Sequence, residues 1–99
     1  MAMESIRRAI AWYLNGNFHR IGGPALEYED TLYNYKWKKW YYRGMLHRLD
    51  GPAIESNNKY YSWYQYGKLH RTEGPAIMRP EHYRIHSFSN KLPFLVIYT

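Results

Sequence analysis

The sequence has no cysteine. That removes disulfides and thiolate metal sites together and favours a reducing compartment. No apolar run reaches the roughly 18 residues that a membrane-spanning helix needs. Residues 1–8 carry basic side chains but not the long apolar stretch and cleavage site of a secretory leader. These absences lead us to expect a cytoplasmic protein. Acidic residues are scarce, 8 against 14 lysines and arginines, giving a formal charge of +6. Such a balance favours acidic partners without choosing among nucleic acid, anionic lipid and an acidic protein surface. Catalytic signatures are missing as well: there is no nucleophile elbow, no motif of paired carboxylates and no paired metal-ligand motif. The expectation is a protein that is not an enzyme and has no cofactor.

Aromatic residues are plentiful: 12 tyrosines, 4 tryptophans and 3 phenylalanines make up 19% of the chain. Flat rings pack well on pleated surfaces, so the composition leans towards β-structure. The chain is organised by a repeated stretch, His-Arg-x-x-Gly-Pro-Ala. It occurs at His19-Arg20-Ile21-Gly22-Gly23-Pro24-Ala25, His47-Arg48-Leu49-Asp50-Gly51-Pro52-Ala53 and His70-Arg71-Thr72-Glu73-Gly74-Pro75-Ala76. Each copy follows Trp-Tyr-x-x-Gly, at Trp12 to Gly16, Trp40 to Gly44 and Trp63 to Gly67. The histidines are 28 and then 23 residues apart. Periods of this size mean stacked supersecondary units, none able to bury its apolar face alone.

Within a unit, the segment before the tryptophan reads as a strand. Tyr35, Trp37, Lys39 and Tyr41 fall on one face at period two, with Lys36, Lys38, Trp40 and Tyr42 on the other. Aromatics on both sides predict a thin, twisted sheet. A second strand is expected after each Gly-Pro, with the proline at its first position because it cannot donate to a ladder. Each unit is then strand, irregular loop, strand. The five extra residues of the first spacing place a longer turn near Glu29-Asp30-Thr31, and Ser56-Asn57-Asn58 suits a tight one. Residues 3–11 fit either a helix, through Met3, Ile6 and Ile10, or the first strand, which repeat alignment favours. The stretch from His86 to Leu92 reads as a worn fourth unit, and Pro93 to Tyr98 as a closing strand. The expectation is one domain over 1–99, with units at about 6–34, 35–58 and 59–80 and a degenerate cap over 81–99.

Trp63-Tyr64-x-x-Gly67-Lys68-Leu69-His70-Arg71-x-x-Gly74 resembles the MORN repeat with about two extra loop residues. It is more similar still to the MORN-like Trp-Tyr-x-Asn-Gly-Lys-x-His-Arg-x-Asp-Gly-Pro-Ala repeats of bacteriophage, giant-virus and bacterial proteins, including the YwqK-like antitoxins. The resemblance covers residues 8–80. It implies an all-β fold, an elongated twisted antiparallel meander of hairpin repeats, acting as a non-catalytic scaffold that binds protein. It also implies a host-directed role, inhibiting or modulating a host complex such as a defence system, in the host cytoplasm if the protein is viral. Gly22 departs from the pattern, standing where the acidic residue belongs.

Several constellations carry a functional reading beside a structural one. Gly16, Gly44 and Gly67 turn the chain with positive φ, and Gly23, Gly51 and Gly74 are pushed towards extended backbone by the following proline. His19, His47 and His70 recur one per unit, too far apart to share one ion; each is expected to cap loop carbonyls or pack on its own tryptophan. Arg48 with Asp50 and Arg71 with Glu73 can brace the loops, or Arg20, Arg48 and Arg71 can point outward as a basic row. The run Lys36, Trp37, Lys38, Lys39, Trp40, Tyr41, Tyr42, Arg43 alternates cations with rings, as single-stranded nucleic-acid binders do. It also suits a protein interface, or a strand whose lysines guard an edge. Lys36, Trp37, Lys38, Lys39, Tyr42 and Arg43 are therefore the candidate interaction residues. A protein partner, with an acidic surface, is the first expectation; nucleic acid is the second and an anionic membrane surface the third.

Overall fold

The computed structural model describes residues 6–80 and the backbone of a strand over 94–97. It is all-β. The degenerate fourth unit read from the sequence lies outside the described residues, apart from that strand.

Among the described residues seven strands form one antiparallel meander in the order β1 (Arg7–Ala11), β4 (Leu26–Asp30), β5 (Tyr35–Lys39), β8 (Ile54–Ser56), β9 (Tyr61–Ser62), β12 (Ile77–Pro80) and β13 (Phe94–Ile97). Residues 7–11 are thus strand rather than helix, and the closing strand pairs with β12 from Ile77↔Ile97 to Pro80↔Phe94. Between the long strands lie three small hairpins: β2 (Tyr13–Leu14) with β3 (Asn17–Phe18), β6 (Tyr41–Tyr42) with β7 (Met45–Leu46), and β10 (Tyr64–Gln65) with β11 (Lys68–Leu69). The stretch expected to be an irregular loop is therefore half hairpin. Its two-residue turns have positive φ at both central positions: Asn15 and Gly16 at 51° and 81°, Arg43 and Gly44 at 49° and 84°, Tyr66 and Gly67 at 49° and 81°. This is the type I′ geometry, whose twist matches that of the flanking strands.

The prolines stand two residues before their strands rather than at the first position, because alanine takes the junction. Ala25 and Ala53 donate to Lys39 and Ser62 carbonyls, and the carbonyls of Ala25, Ala53 and Ala76 accept from the backbone N–H of Trp12, Trp40 and Trp63. Each alanine is thereby pinned where long strand and small hairpin diverge. Ala25, Ala53 and Ala76 are also the fully buried apolar residues among those described, each at 0% exposure. The longer turn expected at Glu29-Asp30-Thr31 spans 31–34 instead, because Glu29 and Asp30 stay in β4 paired with Lys36 and Tyr35. It is capped by Asp30 Oδ1, which accepts from the N–H of Leu32 at 3.0 Å. In the turn after β8 the left-handed residue is Lys59, not an asparagine. Asn57 instead ties that turn to its neighbour: its Oδ1 accepts from Lys36 N–H at 3.0 Å, and its Nδ2 donates to Asn34 carbonyl at 2.6 Å.

The molecule is a slab of 51 × 50 × 17 Å, with a radius of gyration of 16.0 Å against about 13 Å for a compact chain of this length. A single layer of sheet accounts for that shape, and it leaves side chains on both faces in partial contact with water. Among the described residues no helix is long and apolar enough to cross a membrane.

Candidate functional site

The loop following each small hairpin is built around its arginine. The guanidinium lies over the tryptophan of the same unit, 4.3 Å from the ring centroid for Arg20 on Trp12, 3.8 Å for Arg48 on Trp40 and 3.7 Å for Arg71 on Trp63. It also donates to the proline carbonyl four residues on, at 3.2, 3.0 and 3.1 Å respectively. Stacking of this kind contributes roughly 0.5–2 kcal/mol, more as water is excluded. The three arginines are therefore folded onto the loop and do not form the outward basic row. The glycine before each proline follows from the same packing. A Cβ on Gly23, Gly51 or Gly74 would lie 2.7–2.8 Å from a guanidinium atom. Arg48 also meets Asp50 at 3.1 Å and Glu55 at 3.6 Å, whereas Arg20, with Gly22 in place of the acid, meets only Glu27, at 3.9 Å. At the matching position of the third unit Met78 takes the place of the glutamate, its sulfur 4.0 Å from Arg71.

The histidines do something the sequence does not announce. His19 Nδ1 accepts from the backbone N–H of Arg43 at 2.9 Å, and His47 Nδ1 accepts from that of Tyr66 at 3.0 Å. Each donor is the first left-handed residue of the next unit's turn, so the imidazole joins units instead of capping its own loop or packing on its own tryptophan. An imidazole accepting at Nδ1 carries its proton on Nε2. Backbone bonds complete the junction. Gly44 and Gly67 donate to Phe18 and Leu46 carbonyls at 2.8 Å, and Arg20 and Arg48 donate to Tyr41 and Tyr64 carbonyls at 3.3 and 3.1 Å. Rings meet at a tilt along the same seam, His19 with Tyr42 at 5.0 Å and His47 with Tyr66 at 4.1 Å between centroids. Burial pushes the Tyr41 and Tyr64 phenols up from the ordinary value, with Tyr60 adding to the effect at Tyr64.

Successive loops enclose grooves. One of about 520 Å³ lies between the first two loops, where Ile21, Trp40, Tyr42, His47 and Leu49 contribute to the lining. Its aliphatic side chains are held out to water, Ile21 at 80% and Leu49 at 73% exposure. The next groove, about 410 Å³, has Thr72 and Glu73 in its lining and is more polar.

The candidate interaction residues on β5 are divided by the structure. Lys36 and Lys38 are exposed on one sheet face, in register with Glu29 and with Glu27 and Glu55. Glu29 is flanked there by Arg8 at 3.6 Å and Lys36 at 3.7 Å, so charge alternates in sign from strand to strand. Trp37 and Lys39 lie on the opposite face, where Trp37 stacks on Tyr28 at 5.5 Å and Lys39 Nζ sits 4.6 Å from the Trp37 centroid. The strand breaks at Trp40, which moves Tyr42 and Arg43 into the small hairpin. The alternating run is not a continuous stripe. The fold and loops define an all-β hairpin-repeat protein. Comparison with family models, curated proteins and solved structures gave no match for the chain.

Proposed function

We propose that the protein is a non-catalytic interaction module of MORN-like hairpin repeats, and that it binds a partner protein through its row of loops. The observation that carries this reading is the groove between the first two loops, with Ile21 and Leu49 presented at 80% and 73% exposure beside Trp40 and Tyr42. Tyrosine, tryptophan and arginine dominate binding energy at protein interfaces. Here the arginines and tryptophans are already fixed by stacking, so little ordering is left to oppose association. Nucleic-acid binding has weaker support, because a phosphate chain crossing Lys36 and Lys38 would meet Glu27, Glu29 and Glu55 between them. The resemblance to phage and virus repeats adds the finer proposal of a host-directed protein that inhibits or modulates a host complex such as a defence system. That part is analogy at the level of fold.

Both aliphatic side chains are exposed, so the double variant Ile21→Asp, Leu49→Asp should keep its fold and thermal midpoint. Affinity capture from a nuclease-treated host extract should return a stoichiometric partner with the natural chain and lose it, by at least about tenfold, with the variant. Equal capture by both chains would refute the loop-groove reading.

A further inference from the structure

The surface of this molecule whose complement is already visible is the outer side of the first unit. The second unit receives on that side the latter half of the first: β4 pairs with β5, Tyr41 carbonyl accepts from Arg20, Gly44 N–H donates to Phe18 carbonyl, and Arg43 N–H donates to His19. The third receives the latter half of the second in the same way, through β8 on β9, Arg48 to Tyr64 carbonyl, Gly67 to Leu46 carbonyl and Tyr66 to His47. The equivalent groups of the first unit are the outer edge of β1, the Tyr13 carbonyl, the Gly16 N–H and the Asn15 N–H. Among the described residues none of these has a partner. The side chains around them are exposed, Tyr13 at 62%, whereas Tyr41 and Tyr64 are half-buried.

We infer that this side of the first unit accepts an extended acidic segment of a partner protein as an added β-strand. Strand addition to an open edge takes its affinity from main-chain bonds and its specificity from alternate side chains. The segment that fills the equivalent place on the second unit, residues 17–30, supplies the pattern: a carbonyl, an imidazole acceptor, an N–H, and then a strand carrying Glu27, Glu29 and Asp30. The charge fits. Arg7 and Arg8 pair with Asp30 and Glu29 on their inner side, yet remain 67% and 62% exposed. An acid on their outer side would continue the alternation already present across Arg8, Glu29 and Lys36. A second copy of this chain fits poorly. The strand at the other end of the sheet, β13 over Phe94–Ile97, brings no acid to Arg7 and Arg8, and two β1 strands side by side would bring four arginines along one seam without an acid of their own.

The probe is a synthetic peptide of residues 17–30, titrated into the full chain while backbone amide shifts are recorded. All substitutions are placed in the peptide, so the protein's fold is untouched. Saturable shifts are expected over residues 7–16, largest at Asn15 and Gly16. A peptide with Glu27→Lys, Glu29→Lys and Asp30→Lys should bind at least tenfold more weakly, and one with His19→Ala should lose most of the Asn15 shift. Absence of saturation at millimolar peptide, shifts confined to other strands, or equal binding of the charge-reversed peptide would overturn the inference. So would a concentration-dependent dimer of the chain alone that broadens the β1 amides, because a second copy would then own the edge. The shifts are read at residues 7–16, away from Ile21 and Leu49 of the protein, so this site and the loop groove stand or fall separately.

Discussion

The first and second units carry the same motif and differ in their surroundings. Trp12 and Tyr13 are exposed, whereas Trp40 and Tyr41 are half-buried. Arg20 stands 4.3 Å from its tryptophan and meets one carboxylate; Arg48 stands 3.8 Å from its own and meets two. The second unit has a neighbour on each side and the first, among the described residues, on one. Burial in this fold is therefore conferred by the preceding unit and not by the motif, as expected for a quasi-one-dimensional stack whose stability is a sum of unit and interface contributions.

The sharpest way to break the comparison is at the glycine beneath the guanidinium. Gly51→Ala puts a Cβ 2.7 Å from Arg48 Cζ and displaces that guanidinium, giving up its stacking on Trp40 and its bond to the Pro52 carbonyl, at a cost of about 2 kcal/mol in urea unfolding. Gly23→Ala makes an equally close contact at 2.8 Å, but Arg20 is less confined, so about half that cost is expected. Equal losses would show that burial does not govern the loops. A smaller effect is expected from the histidines. His47→Ala removes the acceptor of Tyr66 N–H and a ring at 4.1 Å, for about 1 kcal/mol and a roughly fivefold faster exchange of the Tyr66 amide. His19→Ala should cost less, since its ring lies 5.0 Å from Tyr42, and should speed the Arg43 amide instead. The smallest change should stabilise. Arg43→Asn gives the second turn the Asn-Gly pair that the first already has at φ 51° and 81°. Set against the loss of the Arg43 guanidinium 5.4 Å from the Tyr42 ring, the net gain is about 0.5 kcal/mol, seen as a small rise in the thermal midpoint. Tyr66→Asn should not show this gain, because it removes the ring that meets His47.

Most of the sheet was legible, because period-two patterning and repeat alignment are local signals: β1, β5 and β13 start close to where the sequence puts them, whereas β4 runs on through Glu29 and Asp30, which read as turn residues. The small hairpins were missed although Asn15-Gly16, set between Tyr13-Leu14 and Asn17-Phe18, is a strong two-residue turn signal. In the other units the same turn is written Arg43-Gly44 and Tyr66-Gly67, which hides it. The histidine junctions were illegible for another reason. His19 bonds a backbone group 24 residues away and His47 one 19 away, and nothing in the composition of either segment names the other. The inward arginines were weighed as ion pairs or an outward row. Stacking on a tryptophan eight residues earlier needs the intervening hairpin to be known first. The two faces of β5 are legible from its period of two, but not its end: the strand stops at Lys39, and the break at Trp40 carries Tyr42 and Arg43 into the small hairpin.

A sheet whose fully buried apolar side chains, among the described residues, are three alanine methyls has a thermodynamic signature. The heat-capacity step on unfolding grows with the apolar area newly exposed to water, and so does the slope of stability against denaturant. Among the described residues only Ala25, Ala53 and Ala76 are fully buried apolar side chains, and the larger rings keep part of their surface in water, so less apolar area is hidden than in a two-layer domain of the same length. Its stability curve should be flatter in temperature than that of a two-layer domain of the same length, with a broader calorimetric endotherm and a lower cold-denaturation temperature. The fold trades a sharp melting point for stability that varies less over its working range.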